Sequence, residues 1–279
     1  MSQRIVVLGG GTMGAGIAYV FALKGFGVDV VDPSESGRDA CLRIVKHVAA
    51  RAVERGGMDA GESLMVTERV NVQKNLSSLQ AEPVLLIEAV PEDFALKSNV
   101  LNQAQGLHPK VLATNTSSIS ITSLAQNLDH PESFIGMHFF NPVWSSPLVE
   151  IVVGAETATA TVDATKELVD IIEKGSITVG DNPGFASSRL GVALGLEAIR
   201  MVSDGVASAA DIDKAMELGY RHPMGPLRLT DLVGLDVRLG IARNLTQAYG
   251  SRFEPPQLLI DMVERGELGK KSGQGFVSW

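Results

Sequence analysis

One stretch near the N-terminus, Arg4 to Asp32, restricts this chain to a single kind of architecture. An apolar run of strand length, Ile5 to Leu8, meets Gly9, Gly11 and Gly14 in the spacing G-x-G-x-x-G. A helical pattern follows, and a second β-branched run ends at Asp32. A bare G-x-G-x-x-G means little in a chain with 29 glycines, but strand, glycine turn, helix, strand and acid in that order form a dinucleotide fingerprint in its proper setting. Gly9 permits the tight turn, Gly11 leaves room for a pyrophosphate, and Gly14 lets the helix lie close to the sheet. Thr12 and Met13 open the helix, whose first amides present N–H groups and a partial positive charge to an anion. Asp32 stands about 20 residues past the glycines, where a carboxylate reaches the ribose hydroxyls and repels a 2′-phosphate. The expected cofactor is therefore NAD rather than NADP, held by Gly9, Gly11, Thr12, Met13, Gly14 and Asp32.

Ile5 to Ala22 is uncharged and follows a short basic N-terminus, so it also resembles a leader or membrane segment. Five glycines and Thr12 interrupt it, and Lys24 ends it short of the ~20 residues that a span needs. The expectation is a soluble chain with no processed leader and no membrane partner. At 279 residues, 45% hydrophobic and 20% charged, the chain can bury a sizeable core and is expected to form two domains. A formal charge of −8 provides no basic footprint for nucleic acid. Any polyanionic cofactor must then be held by local groups. The single cysteine, Cys41, permits no internal disulfide and fits a reducing cytoplasm.

Further along, Arg38 to Arg55 has the periodicity of an amphipathic helix, Gly56 to Glu62 reads as a loop, and Val84 to Val90 as a buried strand. Phe94 to Gln105 is a helix by pattern. Val111 to Thr114 is a short strand ending in Asn115, Thr116, Ser117 and Ser118, with Ser120 or a neighbour capping the helix from Ile121. Ligands lie beyond the carboxyl ends of strands in an open α/β sheet, so this polar group should face the same cleft as Gly11. Phe134 to Phe140 and Leu148 to Val153 read as strands joined by a loop, which can set His138 beside Glu150. The carboxylate would hold the imidazole through Nδ1–H, with Nε2 as the base. His47 and Cys41 have no acidic or histidine neighbour at ligand spacing, His108 and His130 each precede a proline in surface-like loops and His222 lies in a turn, so no metal site is expected.

In chain order, GGGTMGAG, EAVPEDFALK, TNTSS, GMHFFNPV with LVE, PGFASSRL, HPMGP and GKKSGQGF resemble the L-3-hydroxyacyl-CoA dehydrogenases, especially the short bacterial 3-hydroxybutyryl-CoA type. The resemblance covers nearly the whole chain. It implies an α/β fold, with an N-terminal Rossmann-type NAD-binding domain (residues 1–181) and an all-helical substrate and dimerisation domain (residues 182–279). It implies that His138 exchanges the proton of the 3-hydroxyl, that Glu150 pairs with it, and that Ser117 and Asn141 line the reacting centre. Glu92, Lys97 and Asn115 are implied cofactor contacts, and the partners implied are an acyl-CoA substrate and a second copy of the chain. Periodicity agrees with helices over Arg189 to Val202, Ala210 to Leu218, Leu227 to Tyr249 and Pro256 to Arg265.

Two departures stand out. Ser188 replaces the asparagine usual in PGF-x-x-N-R, which makes it a substrate-side candidate with a shorter reach and no amide donor. The loop from Gly56 to Glu62 lacks the lysine pair that larger members present to the 3′-phosphate of coenzyme A, although Arg51 and Arg55 are close in sequence. Two alternatives follow: a dehydrogenase acting on a non-CoA 3-hydroxy acid such as carnitine or a sugar acid, and a non-catalytic NAD-binding protein.

Overall fold

The computed structural model of the protein describes residues 3–79 and 81–279. They divide into two compact units, one ending at Asn182 and the other running from Pro183 to Trp279. In the first, strands β1 (Arg4–Leu8), β2 (Gly27–Val31), β3 (Val70–Gln73), β4 (Leu85–Glu88), β5 (Leu112–Thr114), β6 (Phe134–Phe139), β7 (Leu148–Val153) and β8 (Gly175–Gly180) form one sheet. Its order is β3-β2-β1-β4-β5-β6-β7-β8. The strands from β3 to β6 run parallel, β7 turns antiparallel to β6, and β8 follows β7 in parallel. Unbroken apolar runs suit this position: Ile5, Val7, Leu85 and Ile87 are wholly buried, as central parallel strands covered on both faces require. The chain crosses from β2 and β3 on one side of β1 to β4 on the other. That switch point opens a crevice at the strands' carboxyl ends.

Helices α1 (Thr12–Leu23), α2 (Glu35–Glu54), α3 (Ala60–Glu68), α4 (Phe94–Ala104), α5 (Ile121–Ala125) and α6 (Thr159–Ile171) complete this unit. The segment expected to be a loop, Gly56 to Glu62, instead starts α3 at Ala60. Asp59 accepts from the Glu62 amide while the Glu62 side chain accepts from the Asp59 amide, a capping box strong enough to begin a helix among glycines. Ser120 caps α5 by accepting from Ser123 N–H, and Asp181 takes the Ile121 and Thr122 amides at the same helix start.

The second unit is helical: α7 (Ser187–Ser203), α8 (Ala209–Gly219), α9 (Pro226–Val233), α10 (Leu235–Tyr249) and α11 (Gln257–Glu264). Leu227 to Tyr249 is thus two helices, broken at Gly234, whose φ of 104° lies outside helical space. α7 buries Val192, Leu196 and Ile199 in the unit's core, yet Leu190 is 71% exposed. The wholly buried Asp231 in α9 anchors the C-terminal tail, accepting from the Phe276 and Val277 amides and the Trp279 indole. Among the described residues no helix is long and apolar enough to cross a membrane.

Candidate active site

The glycine turn has the geometry its spacing implies. Gly9 adopts φ 103°, and a Cβ there would sit 2.8 Å from the carbonyl oxygen of Ala89. At Gly14 it would lie 1.9 Å from the carbonyl oxygen of Gly9, so no other residue lets α1 approach β1 so closely. At Gly11 it would meet nothing within 4 Å, which leaves the α1 N-terminus open to a ligand. Neither a capping side chain nor an acid occupies that first turn. Asp32, at the end of β2, accepts from Gly10 N–H at 2.8 Å and from the Ser34 N–H and hydroxyl at 2.9 and 2.8 Å. Partial burial pushes its carboxyl upward, but these donors, with Arg38 nearby, outweigh it and hold Asp32 below the usual carboxylate range. A cleft of about 1030 Å³ runs past Gly11, Thr12, Met13 and Asp32 to Val90. The open helix terminus, the glycine clearances and the carboxylate fit NAD.

Met13, Ala89 and Val90 also line an adjoining pocket of about 360 Å³, which holds Glu92, Asn115, Ser117, His138 and Asn141. β6 and β7 pair so that His138 and Glu150 are register partners, with Nδ1 2.8 Å from Oε2. Their side chains are 9% and 0% exposed. The Phe140 ring packs 4.5 Å from the imidazole. Asn115 does not simply face the cleft, since its Oδ1 accepts the Phe139 amide at 2.8 Å and ties the end of β5 to β6 beside His138.

Glu92 organises the polar loop after β5. Its Oε1 accepts from the Thr116 hydroxyl at 2.7 Å, from the Ser117 amide at 2.9 Å and hydroxyl at 3.2 Å, and from Ser118 through hydroxyl and amide. Burial raises its pKa, but the Thr116 hydroxyl, Lys97 and the serine donors more than reverse that, so Glu92 stays ionised. Lys97 lies below this layer, 1% exposed, with its ammonium 2.8 Å from the buried carboxylate of Glu88. Glu88 was not singled out in the sequence. A carboxylate inside the apolar run VLLIEAV was the signal available for it.

A third cleft, of about 740 Å³, lies beside α2, where Lys24, Arg51, Arg55 and Lys174 outnumber the one lining acid, Glu173. Trp144 and Tyr19 supply aromatic walls. Lys174 and Trp144 are far from the arginines in sequence and gave no sign of this site. Ser188 is half-buried in the first turn of α7. Among the described residues, no group of three or more His, Cys, Asp or Glu is placed to hold a metal ion.

A Rossmann-type sheet with an open glycine turn, an acid kept ionised after its second strand and a buried His–Glu pair in the adjoining pocket belongs to the class of NAD-dependent dehydrogenases. Residues 4–182 match the 3-hydroxyacyl-CoA dehydrogenase NAD-binding domain, and residues 184–279 match the C-terminal domain of the same enzymes. The chain belongs to the 3-hydroxyacyl-CoA dehydrogenase family. It is 38% identical over 280 residues to a 3-hydroxybutyryl-CoA dehydrogenase of Clostridioides difficile, covering 99% of each chain. It is 41% identical over 286 residues to one of Mycobacterium tuberculosis, covering 99% of this chain and 98% of that one. The crystal structure of the (S)-3-hydroxybutyryl-CoA dehydrogenase of Ralstonia eutropha is similar over 100% of this chain and 99% of that one, with a TM-score of 0.95 and 34% identity.

Proposed function

We propose that the protein interconverts L-3-hydroxybutyryl-CoA, or a near homologue, and the 3-oxoacyl thioester. The observation that carries this reading is the buried contact between His138 Nδ1 and Glu150 Oε2 at the end of the cofactor cleft. With Glu150 fixing the ring, His138 uses Nε2 to take the proton of the 3-hydroxyl in oxidation and to return it in reduction. Ser117 and Asn141 hold the oxygen on C3, so that the C3–H bond is aimed along the cleft. NAD, when bound, supplies the acceptor for the hydride that leaves C3. The same groups serve both directions, because the protonated imidazole is the acid that reduction needs.

The cleft beside α2 supports a coenzyme A thioester. Arg55 and Arg51, the latter exposed and paired only with the surface Glu54, offer cations to phosphates, while Lys24 is held by Glu173 and Lys174 by the Val143 and Ser146 carbonyls; Trp144 offers an apolar face to a base. These groups lie in a chain whose net charge is negative, so the cationic character is local. The helical unit forms a homodimer in the cytoplasm. Leu190, Leu229, Leu232, Val233 and Val237, all more than a third exposed, support that assembly.

NADH absorbance followed with L-3-hydroxybutyryl-CoA, a long-chain homologue, carnitine and a sugar acid tests the reading. Turnover of the short acyl-CoA in preference to the others is expected. Preference for carnitine or the sugar acid would move the assignment to a non-CoA dehydrogenase, and no turnover of any would remove it.

A further inference from the structure

Beneath the pocket wall, two carboxylates share one ammonium. Lys97 Nζ lies 2.8 Å from Glu88 Oε1, 3.3 Å from Glu92 Oε2 and 3.1 Å from the carbonyl oxygen of Val90. The two acids face different ways. Glu88, the last residue of β4, is wholly enclosed: it accepts the Thr114 hydroxyl at 2.6 Å and the Val90 amide at 2.6 Å. It therefore joins the ends of β4 and β5 to α4, which carries Lys97. Glu92 faces the pocket, and its other oxygen gathers Ser117 and Ser118.

Stability alone does not account for this arrangement. A buried ion pair costs so much in lost hydration that well-packed apolar residues of the same volume usually serve as well or better. An apolar pair could not hold the Glu92 carboxylate in one place, however, and without a fixed Glu92 the Ser117–Ser118 turn loses the acceptor about which it is built.

We propose that Glu88 is a positioning residue for the dehydrogenase reaction: through Lys97 it fixes Glu92, and through Glu92 it fixes the hydroxyl and amide of Ser117 beside His138. The proposal rests on the role given to Ser117 above. Glu88 itself touches neither substrate nor cofactor.

Two variants test it. Glu88→Gln removes the inner charge. The double variant Glu88→Met with Lys97→Met removes the enclosed pair at similar volume, so that no ion is left in the dry layer; Glu92, 37% exposed at its side chain, keeps its hydroxyl and amide donors but loses the cation that fixes it. The first readout needs no substrate: hydrogen exchange at the Ser117 and Ser118 amides should speed by about tenfold or more, while amides in β1 keep the parent's protection. The second is kcat with L-3-hydroxybutyryl-CoA, expected to fall about tenfold as the loop loses its aim. Placed on a Ser117→Ala background, the same substitutions should add no further loss, because their effect passes through Ser117. Losses that multiply on that background, or unchanged exchange at Ser117 and Ser118 in the double variant, would overturn the proposal. An inactive parent protein would instead overturn the assigned reaction and leave hydrogen exchange to decide the relay.

Discussion

His138 and Glu150 face each other across the antiparallel pair β6–β7, Nδ1 to Oε2 at 2.8 Å, and neither side chain is more than 9% exposed. A carboxylate so enclosed is costly to desolvate, and the imidazole repays this only when it stays oriented. His138→Ala should therefore depress kcat by about 10²–10⁴ while the dissociation constant for NAD changes by less than about twofold, since in the proposed role His138 acts on the substrate proton and not on the dinucleotide. Glu150→Gln should cost less, because an amide still restrains the ring. Steady-state kinetics with calorimetric NAD binding checks both, and an unchanged rate in His138→Ala would remove the mechanism.

Asp32 has a double task. It accepts the Gly10 amide within the glycine turn, and in the proposed reading it also meets the ribose, where it would repel a 2′-phosphate. Asp32→Ser should narrow the preference for NAD over NADP by about tenfold or more as the like-charge contact disappears. It should also weaken NAD itself, because the Gly10 amide loses its acceptor. Comparable kcat/KM for the two cofactors in the parent protein would show that Asp32 does not read the ribose.

Acid stability follows from the same carboxylates. Asp32 and Glu92 are both held below their ordinary values by the donors around them. Their contribution is fully present above the unfolded value, about 4, and is lost as pH falls through the lower folded values. Glu88, raised by burial despite Lys97, works in the opposite sense and offsets part of that loss. The Tm of the parent should therefore fall as pH is lowered from 5 to about 3, and that of a variant carrying Asp32→Asn and Glu92→Gln should fall less steeply. Parallel Tm–pH curves for parent and variant would contradict this.

Arg238 is 4% exposed in α10, and its Nε has no hydrogen-bond partner among the described residues. Burial brings its pKa down to about 10, so it stays charged at neutral pH. The helix α7 packs against it without being shaped by it: a Cβ on Gly191 or Gly195 would meet the guanidinium only at ordinary contact distance, 3.5 Å from Nη1 and 3.7 Å from Nε, whereas at Gly195 it would press on Thr230 Oγ1 at 2.9 Å. Arg238→Met should raise stability by roughly 1 kcal/mol, about 2–4 °C in Tm, by removing an uncompensated buried charge. A lower Tm would mean that an acceptor from outside the chain completes the guanidinium.

Much of the site was readable before the fold was known, and for local reasons. Gly9, Gly11 and Gly14 act within a single turn, where each spacing has one steric meaning, and Ser120 caps the helix that starts at the next residue. The capping box of Asp59 and Glu62 was equally local but lay hidden in a glycine-rich run. The break at Gly234 was masked because apolar periodicity continues across it, and only its positive φ separates α9 from α10.

Strand composition, glycine spacing and Asp32 were enough to define a dinucleotide-binding α/β unit, because those requirements are met by residues adjacent in the chain. His138 and Glu150 could be paired in advance because two strands joined by one loop have few ways to lie together. Nothing local gathered Ser117 and Ser118 around Glu92, or brought Lys174 and Trp144 to the cleft of Arg51 and Arg55. Those contacts join segments separated by whole βα crossovers. They depend on the strand order and on the depth at which each polar side chain is buried, which only the packed sheet decides.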